Sequence, residues 1–221
     1  PGADRPVPLV PIPMIVGIKE RIDYKGAVCM TVDDEDVRKA VRKLVDQGCQ
    51  AFVVALVNAV VNPSHEKEVE RIILSEYPTH VLGALPIVLS HRVAGRKAEY
   101  SRTMSAILDA YLHDQMYHGM STLEVALRAN GYARPMLLVH NTSGMAQLNS
   151  THSLQTIHSG PVAGLEATGY LAGQFKEPNV IATDMGGTSF DIGLVTSDGV
   201  KFYDFNPVID RWLVSTPMTY L

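Results

Sequence analysis

Apolar positions along this chain repeat with two different periods, and the change from one to the other marks out the elements. From Asp33 the helical period holds: Val37, Ala40, Val41, Leu44 and Val45 fall at i, i+3, i+4, i+7 and i+8, and Gly48 lies just past the end. Asp33, Asp34, Glu35 and Asp36 stand at its start, where the helix dipole favours negative charge, so the acidic run reads as helix N-terminal charge and not as a metal site. The apolar run Gln50–Val57 predicts a buried strand. Asn62-Pro63 opens a second helix over Ser64–Tyr77, with proline at its first turn, and Val81–Ser90 returns as a strand. Upstream, prolines at 1, 6, 8, 11 and 13 exclude a helix over residues 1–18. They predict an extended connector entering a strand near Met14–Glu20, then a turn at Asp23–Gly26 and a short strand over Ala27–Thr31. The resulting β-α-β-α-β order predicts mainly parallel strands, with loops such as Asn58–Asn62 at the carboxyl ends where open α/β sheets bind ligands.

The segment Arg96–Asn130 is rich in helix formers. Met104, Ile107, Leu108, Tyr111 and Leu112 trace one core-facing stripe, and Gly119 interrupts it, which predicts two helices. His113 and His118 are off the spacing of a helical ligand pair, and His65 has no second ligand four residues on, so none of them is read as a metal ligand. Pro135–His140 predicts a strand leading into Asn141-Thr142-Ser143-Gly144. That loop is read equally well as an ordinary turn or as a weak substrate contact through Asn141, Ser143 and Gly144. Ser159-Gly160-Pro161 then opens a helix running to about Gly173, with small residues at Gly160, Ala163, Gly164, Ala167 and Thr168 that permit close approach.

Period two dominates the next stretch, Val180–Val195. An apolar strand ends in Asp184, Gly186 and Gly187 form a tip with Thr188 and Ser189, and Asp191 begins a second apolar strand. A glycine pair between strands is an ordinary hairpin turn. Two carboxylates bracketing Gly-Gly-Thr-Ser are more than a turn needs: glycines let backbone N–H groups approach an anion, and Thr188 and Ser189 add hydroxyl donors. The expected site is therefore a phosphate cradle of Gly186, Gly187, Thr188, Ser189 and Asp191, with Asp184 as the catalytic carboxylate, acting through Mg²⁺ or a water. Asp198-Gly199 signals another turn, Gly199–Phe205 is expected to extend the meander, and Asn206–Leu221, with the only Trp, Trp212, stops like a strand cut short.

Composition narrows the partners. The chain has 221 residues, 46% of them hydrophobic, and a net charge of −4, so it can bury a core and offers no basic stripe for nucleic acid. The apolar stretch Ala51–Val61 is too short to span a bilayer and is broken by Asn58. Cys29 and Cys49, without a C-x-x-C pair, fit a reducing cytoplasm as small buried hydrophobes. A start at Pro1-Gly2-Ala3, with no initiator Met, is that of a piece of a longer chain.

Asp184-Met185-Gly186-Gly187-Thr188-Ser189-Phe190-Asp191, taken with Ser159-Gly160-Pro161-Val162-Ala163-Gly164, resembles the hydantoinase A / 5-oxoprolinase family, which also contains acetone and acetophenone carboxylase subunits. Arg5–Val10, Glu20–Asp23 with Gly26, Asn62–Glu66, Ser90-His91, Glu99–Thr103 and Tyr111 extend the resemblance over most of the chain. It implies an α/β fold, a lobe of the actin-like ATPase (ribonuclease H-like) architecture, with a β-α-β-α-β region, long helices and a phosphate-binding β-hairpin. Residues 1–95 would be the α/β region of the first lobe, 96–175 a helical part with the connecting helix, and 176–221 the truncated start of the second lobe. The implied cofactors are ATP and Mg²⁺. The implied activity is phosphorylation of an amide or ketone carbonyl before hydrolysis or carboxylation, with hydantoinase B-type subunits and further copies of the chain as partners in the cytoplasm. Phe190, where the family motif usually has Thr, favours a ketone carboxylase over hydantoin or oxoproline chemistry, as does Arg92, where an acidic residue is common. The resemblance also implies a first phosphate loop and an adenosine segment outside these residues, so that the chain by itself should not bind ATP fully. A non-catalytic scaffold subunit is the alternative; a chaperone-like or filament-forming ATPase is a third reading, but these residues carry no extension for it.

Overall fold

A computed structural model describes residues 7–78, 85–203 and 206–219. By contact the chain forms two compact units, Pro1–Tyr111 with Val208–Ser215, and Leu112–Pro207 with Thr216–Leu221.

In the first unit, prolines 11 and 13 set a 3-10 turn, Ile12–Met14, closed by the Met14 N–H to the Pro11 carbonyl at 2.8 Å. The expected strand at Met14–Glu20 therefore starts later: β1 is Arg21–Ile22, and it pairs antiparallel with β2, Val28–Met30, across the turn at Asp23–Gly26. Every residue of β2 is exposed, and Cys29 with it, while Cys49 is only half-buried. The expectation of two buried cysteines fails for Cys29, on a strand with no buried residue, while Cys49 packs only partly buried against the core of this unit. Helix α1, Asp34–Asp46, begins where the apolar period and the acidic run place it, with the Asp33 carboxylate accepting from the Glu35 and Asp36 N–H groups. Strand β3, Phe52–Val54, runs parallel to β4, Ile87–Leu89, in register Phe52↔Ile87, Val53↔Val88 and Val54↔Leu89. Residues 81–84 of the expected strand Val81–Ser90 lie outside the described residues.

Between these strands lies α2, Ser64–Glu76. Its Val69, Ile72 and Ile73 pack with Val37 and Val41 of α1 and with Phe52, Val54 and Leu89 in one core. Arg38 and Arg42 of α1 both reach Glu76, at 2.6 Å each, tying α1 to the end of α2. Strand β2 pairs with β1, so the parallel pair in this unit is β3 with β4, and the first strand of the expected β-α-β-α-β unit stands outside it. Strand β3 is also shorter than Gln50–Val57, for a chemical reason: the Leu56 N–H is taken by the Glu66 carboxylate at 2.9 Å and its carbonyl by Arg102 at 2.7 Å, so side chains replace the ladder. A short helix α3, Ser90–Val93, follows β4 directly. Helix α4 is a single helix, Glu99–Ala129, that passes through Gly119 where two helices were expected. A glycine costs a helix about 1 kcal/mol, too little to break one with strong formers on both sides.

In the second unit, β5, Leu137–Val139, and β6, Met145–Gln147, make a hairpin around the Asn141–Gly144 loop. Helix α5, Ser159–Phe175, starts at the small-residue segment and packs on β7, Val180–Met185, and β8, Phe190–Thr196. Strand β9, Gly199–Val200, continues the meander beside β8, with Gly199 at φ +92° as its turn demands. The chain then leaves that sheet: β10, Phe202–Tyr203, pairs with β13, Met218–Thr219. Phe205 lies outside the described residues. Strands β11, Val208–Ile209, and β12, Trp212–Leu213, form a hairpin assigned by contact to the first unit, where the Ser215 N–H donates to Ser105 Oγ at 2.8 Å.

Gly193 fixes how close α5 lies to the hairpin. A Cβ there would stand 2.5 Å from Leu165 Cδ1 and 3.2 Å from its Cγ, and Leu165 is fully buried. Gly193→Ala is therefore expected to overpack this contact and to cost about 1–3 kcal/mol, measured as a lower midpoint of urea denaturation. A midpoint equal to wild type would show that Leu165 yields freely.

Candidate functional site

The hairpin places its two carboxylates opposite each other. In the β7–β8 register Asp184 faces Asp191, and Met185 faces Phe190. The four-residue tip Gly186–Ser189 closes with the Gly186 N–H donating to the Ser189 carbonyl at 3.0 Å, and Ser189 Oγ donates to Asp191 Oδ2 at 3.3 Å. Asp184 and the whole tip are exposed, and Asp191 is half-buried. Like charges directly opposite on one face of a sheet are destabilising. Among the described residues no ion pair reaches either carboxylate.

The glycines carry the strongest indication. Had they served the turn, at least one would sit in the left-handed region; neither Gly186 nor Gly187 is among the glycines of positive φ. Had they served packing, an added Cβ would collide. At Gly187 it would meet nothing within 4 Å, and at Gly186 only the Ser189 carbonyl oxygen, at 3.9 Å. Neither turn geometry nor crowding asks for glycine here. What remains is open space at the tip, which a side chain would fill.

A cleft of about 270 Å³ opens beside the hairpin. Pro161, Gly164 and Thr168 of α5 form one wall, and Asp184, Asp191 and Gly193 form the other. Helix α5 begins after His158, which is in the left-handed conformation and gives no side-chain cap, so its first-turn N–H groups lack a capping side chain of the usual kind. Small residues on α5 were legible as a close-packing face. That this face would wall a cleft with the two aspartates was not. Two carboxylates and a hydroxyl match the way Mg²⁺ is held, through one or two carboxylates together with phosphate oxygens and water. Among the described residues there is no cluster of three or more His, Cys, Asp or Glu side chains that would make an all-protein metal cage.

The other candidate segment is engaged differently. Asn141 is fully buried: its Nδ2 donates to the Leu154 carbonyl at 3.0 Å, its N–H to Gln155 at 2.7 Å, and its carbonyl accepts from Thr219 at 2.8 Å. Ser143 has φ +66° and donates to Glu166 Oε1 at 2.5 Å, and Gly144 accepts the His140 N–H. Burial, and then the neighbouring His152, hold the pKa of His140 below the ordinary histidine value. The loop is stapled to α5 and β13, and none of Asn141, Ser143 and Gly144 is in the wall of the cleft.

A mixed α/β chain with a two-carboxylate, glycine-tipped hairpin against a small-residue helix is consistent with the actin-like ATPase class. Within that class the chain belongs to the hydantoinase/oxoprolinase family. The family model matches residues 102–221, and the model of its N-terminal region matches residues 5–77. The chain is 44% identical over 215 residues to the acetophenone carboxylase gamma subunit of Aromatoleum aromaticum, covering 97% of this chain and 29% of that protein. Among solved structures, acetone carboxylase in its nucleotide-free form, an enzyme of ATP-dependent acetone carboxylation, superposes with a TM-score of 0.85 at 26% identity, over 97% of this chain and 30% of that one. The ATP-dependent caprolactamase of Pseudomonas jessenii superposes with a TM-score of 0.79 at 26% identity, over 92% and 29%. The chain thus spans less than a third of the length of these relatives. Among the described residues no helix is long and apolar enough to cross a membrane.

Proposed function

We propose that this chain carries one phosphate-binding half of the nucleotide site of an ATP-dependent enzyme that activates a ketone or amide carbonyl. ATP would supply the phosphoryl group that activates the carbonyl oxygen. The Gly187 N–H and the Thr188 hydroxyl hold phosphate oxygens, Gly186 leaves room for them while its N–H closes the tip on the Ser189 carbonyl, and Ser189 joins them when its hydroxyl turns from Asp191 to the phosphate. Asp184 holds Mg²⁺ or orients the attacking oxygen, and Asp191 steadies the tip through Ser189 Oγ or shares the metal. The observation that carries this reading is the pair of glycines that neither φ nor packing explains.

A ketone is the preferred substrate class, supported by the 44% identity to an acetophenone carboxylase subunit. On this reading residues 1–95 belong to the first lobe, 96–175 to its helical part and connecting helix, and 176–221 to the start of the second. Hydantoinase B-type subunits and further copies of the chain complete the enzyme, in the cytoplasm. The test is ATP hydrolysis by the full-length protein with its companion subunits, with acetophenone, 5-oxoproline or caprolactam added. Stimulation by acetophenone above the other two is expected. Stimulation by a lactam instead would move the substrate to an amide, and ATP hydrolysis indifferent to all three would favour the scaffold reading.

A further inference from the structure

A second chemical centre lies in the first unit, at the carboxyl ends of the parallel strands β3 and β4. Glu66, in the first turn of α2, is fully buried and saturated. Its Oε1 accepts from the Leu56 N–H at 2.9 Å and Ser90 Oγ at 2.6 Å, and its Oε2 accepts from the His91 N–H at 3.2 Å and His91 Nδ1 at 2.6 Å. A carboxylate can only accept, so Nδ1 carries a proton and the tautomer of His91 is set. No partner is recorded for Nε2 among the described residues, and 13% of the His91 side chain is exposed against none of Glu66.

Arg102, in the first turn of α4, is also fully buried. It donates through Nε to Ser90 Oγ at 3.0 Å and through Nη2 to the Leu56 carbonyl at 2.7 Å. Its Nη1 makes no hydrogen bond; the nearest carboxylate oxygen, Glu99 Oε1, is 3.7 Å away. The Glu99 backbone N–H first, and then the Asn58 N–H and Arg102 itself, hold the Glu99 carboxyl below the usual range against the opposing pull of burial. The buried guanidinium thus shares Ser90 and Leu56 with the carboxylate that orients the imidazole, and Glu66 and Arg102 lie in the first turns of two helices. Such a setting favours negative charge developing on an oxygen beside a base.

We infer that His91 is a general base for enolisation of a ketone, with Glu66 as its positioning residue and Ser90 and Arg102 holding Glu66 and the local positive field. Nε2 takes a proton from the carbon next to the carbonyl. The C–H pair becomes the C=C bond, the carbonyl π pair moves to oxygen, and Glu66 stabilises the imidazolium. The reverse transfer returns the proton, so the step needs no co-reactant. The substrate class rests on the ketone reading above, but the base does not depend on the hairpin.

The experiment is loss of deuterium from methyl-deuterated acetophenone, followed by NMR in the full-length protein with its companion subunits, with and without Mg-ATP. Wild type should exchange above the buffer rate. His91→Ala should lower this by about 10²-fold or more, with an unchanged affinity for Mg-ATP, and added imidazole should restore part of it. Glu66→Gln, which keeps an acceptor but loses the charge, should give a smaller loss. Exchange in His91→Ala at the wild-type rate, no exchange in wild type, or a loss that imidazole does not touch would each overturn the inference. Wild type that exchanges deuterium but does not bind Mg-ATP would keep His91 and overturn the hairpin assignment; binding without exchange would do the reverse.

Discussion

Asp184→Ala is expected to lower carbonyl-dependent ATP hydrolysis by roughly 10²–10³-fold, the scale on which loss of one preorganised charge-handling group acts in a site of this kind. The same substitution should leave the protein as stable as wild type, or stabilise it by a few tenths of a kcal/mol. Asp184 is exposed, accepts no hydrogen bond recorded among the described residues, and faces the like charge of Asp191 across the ladder, an arrangement that works against folding. Activity and stability thus move in opposite directions, which a residue kept for folding would not do. The measurement pairs steady-state hydrolysis with a thermal melt. A parallel fall in both would make Asp184 a structural residue.

Glu66→Ala should have the largest effect on stability. It strands the Leu56 N–H, Ser90 Oγ and both donors of His91 in a buried setting, and it loosens the Ser90 hydroxyl that Arg102 Nε donates to. Breaking a buried charge network from one side costs about 3–5 kcal/mol. The ion pairs of Glu76 with Arg38 and Arg42 are short too, yet Arg42 is half exposed, and solvent screening leaves exposed pairs of this type little net contribution. Urea denaturation of Glu66→Ala and Glu76→Ala should separate the two by several kcal/mol; equal midpoints would show that the Glu66 network contributes no more than a surface pair.

These two sites differ in how much of them could be read along the chain. The hairpin was legible because all its parts are contiguous: alternation gives the strands, and the carboxylates flank the tip within eight residues. The role of its glycines was not, since a glycine pair reads the same whether it serves a turn or a ligand; the lack of a left-handed φ and the empty space at Gly187 are what support the ligand in the reading proposed above. The Glu66 centre draws on residues from Leu56 to Arg102 that lie far apart along the chain: Glu66 in the expected second helix, Ser90-His91 after the strand, and Arg102 in the helical segment Arg96–Asn130. Only the parallel pairing of β3 and β4 brings them together. Helix α1 appeared with nearly the expected limits because its apolar period and cap agree, whereas β3 came out short because side chains took over its backbone partners. Asn141 reads along the chain equally well as a turn residue or a substrate contact; its Nδ2 donates inside the fold, and its buried Oδ1 has no hydrogen-bond partner among the described residues.

The phosphate role of the hairpin is tested most directly by titrating Mg-ATP calorimetrically into the full-length protein and its Gly187→Val variant. A Cβ at Gly187 meets nothing within 4 Å and its φ is not left-handed, so the chain itself should accept the valine without loss of melting temperature. A side chain in the cradle should nevertheless weaken Mg-ATP binding by tenfold or more, about 1.4 kcal/mol. Wild-type affinity in a folded Gly187→Val protein would contradict the assignment of this tip to phosphate.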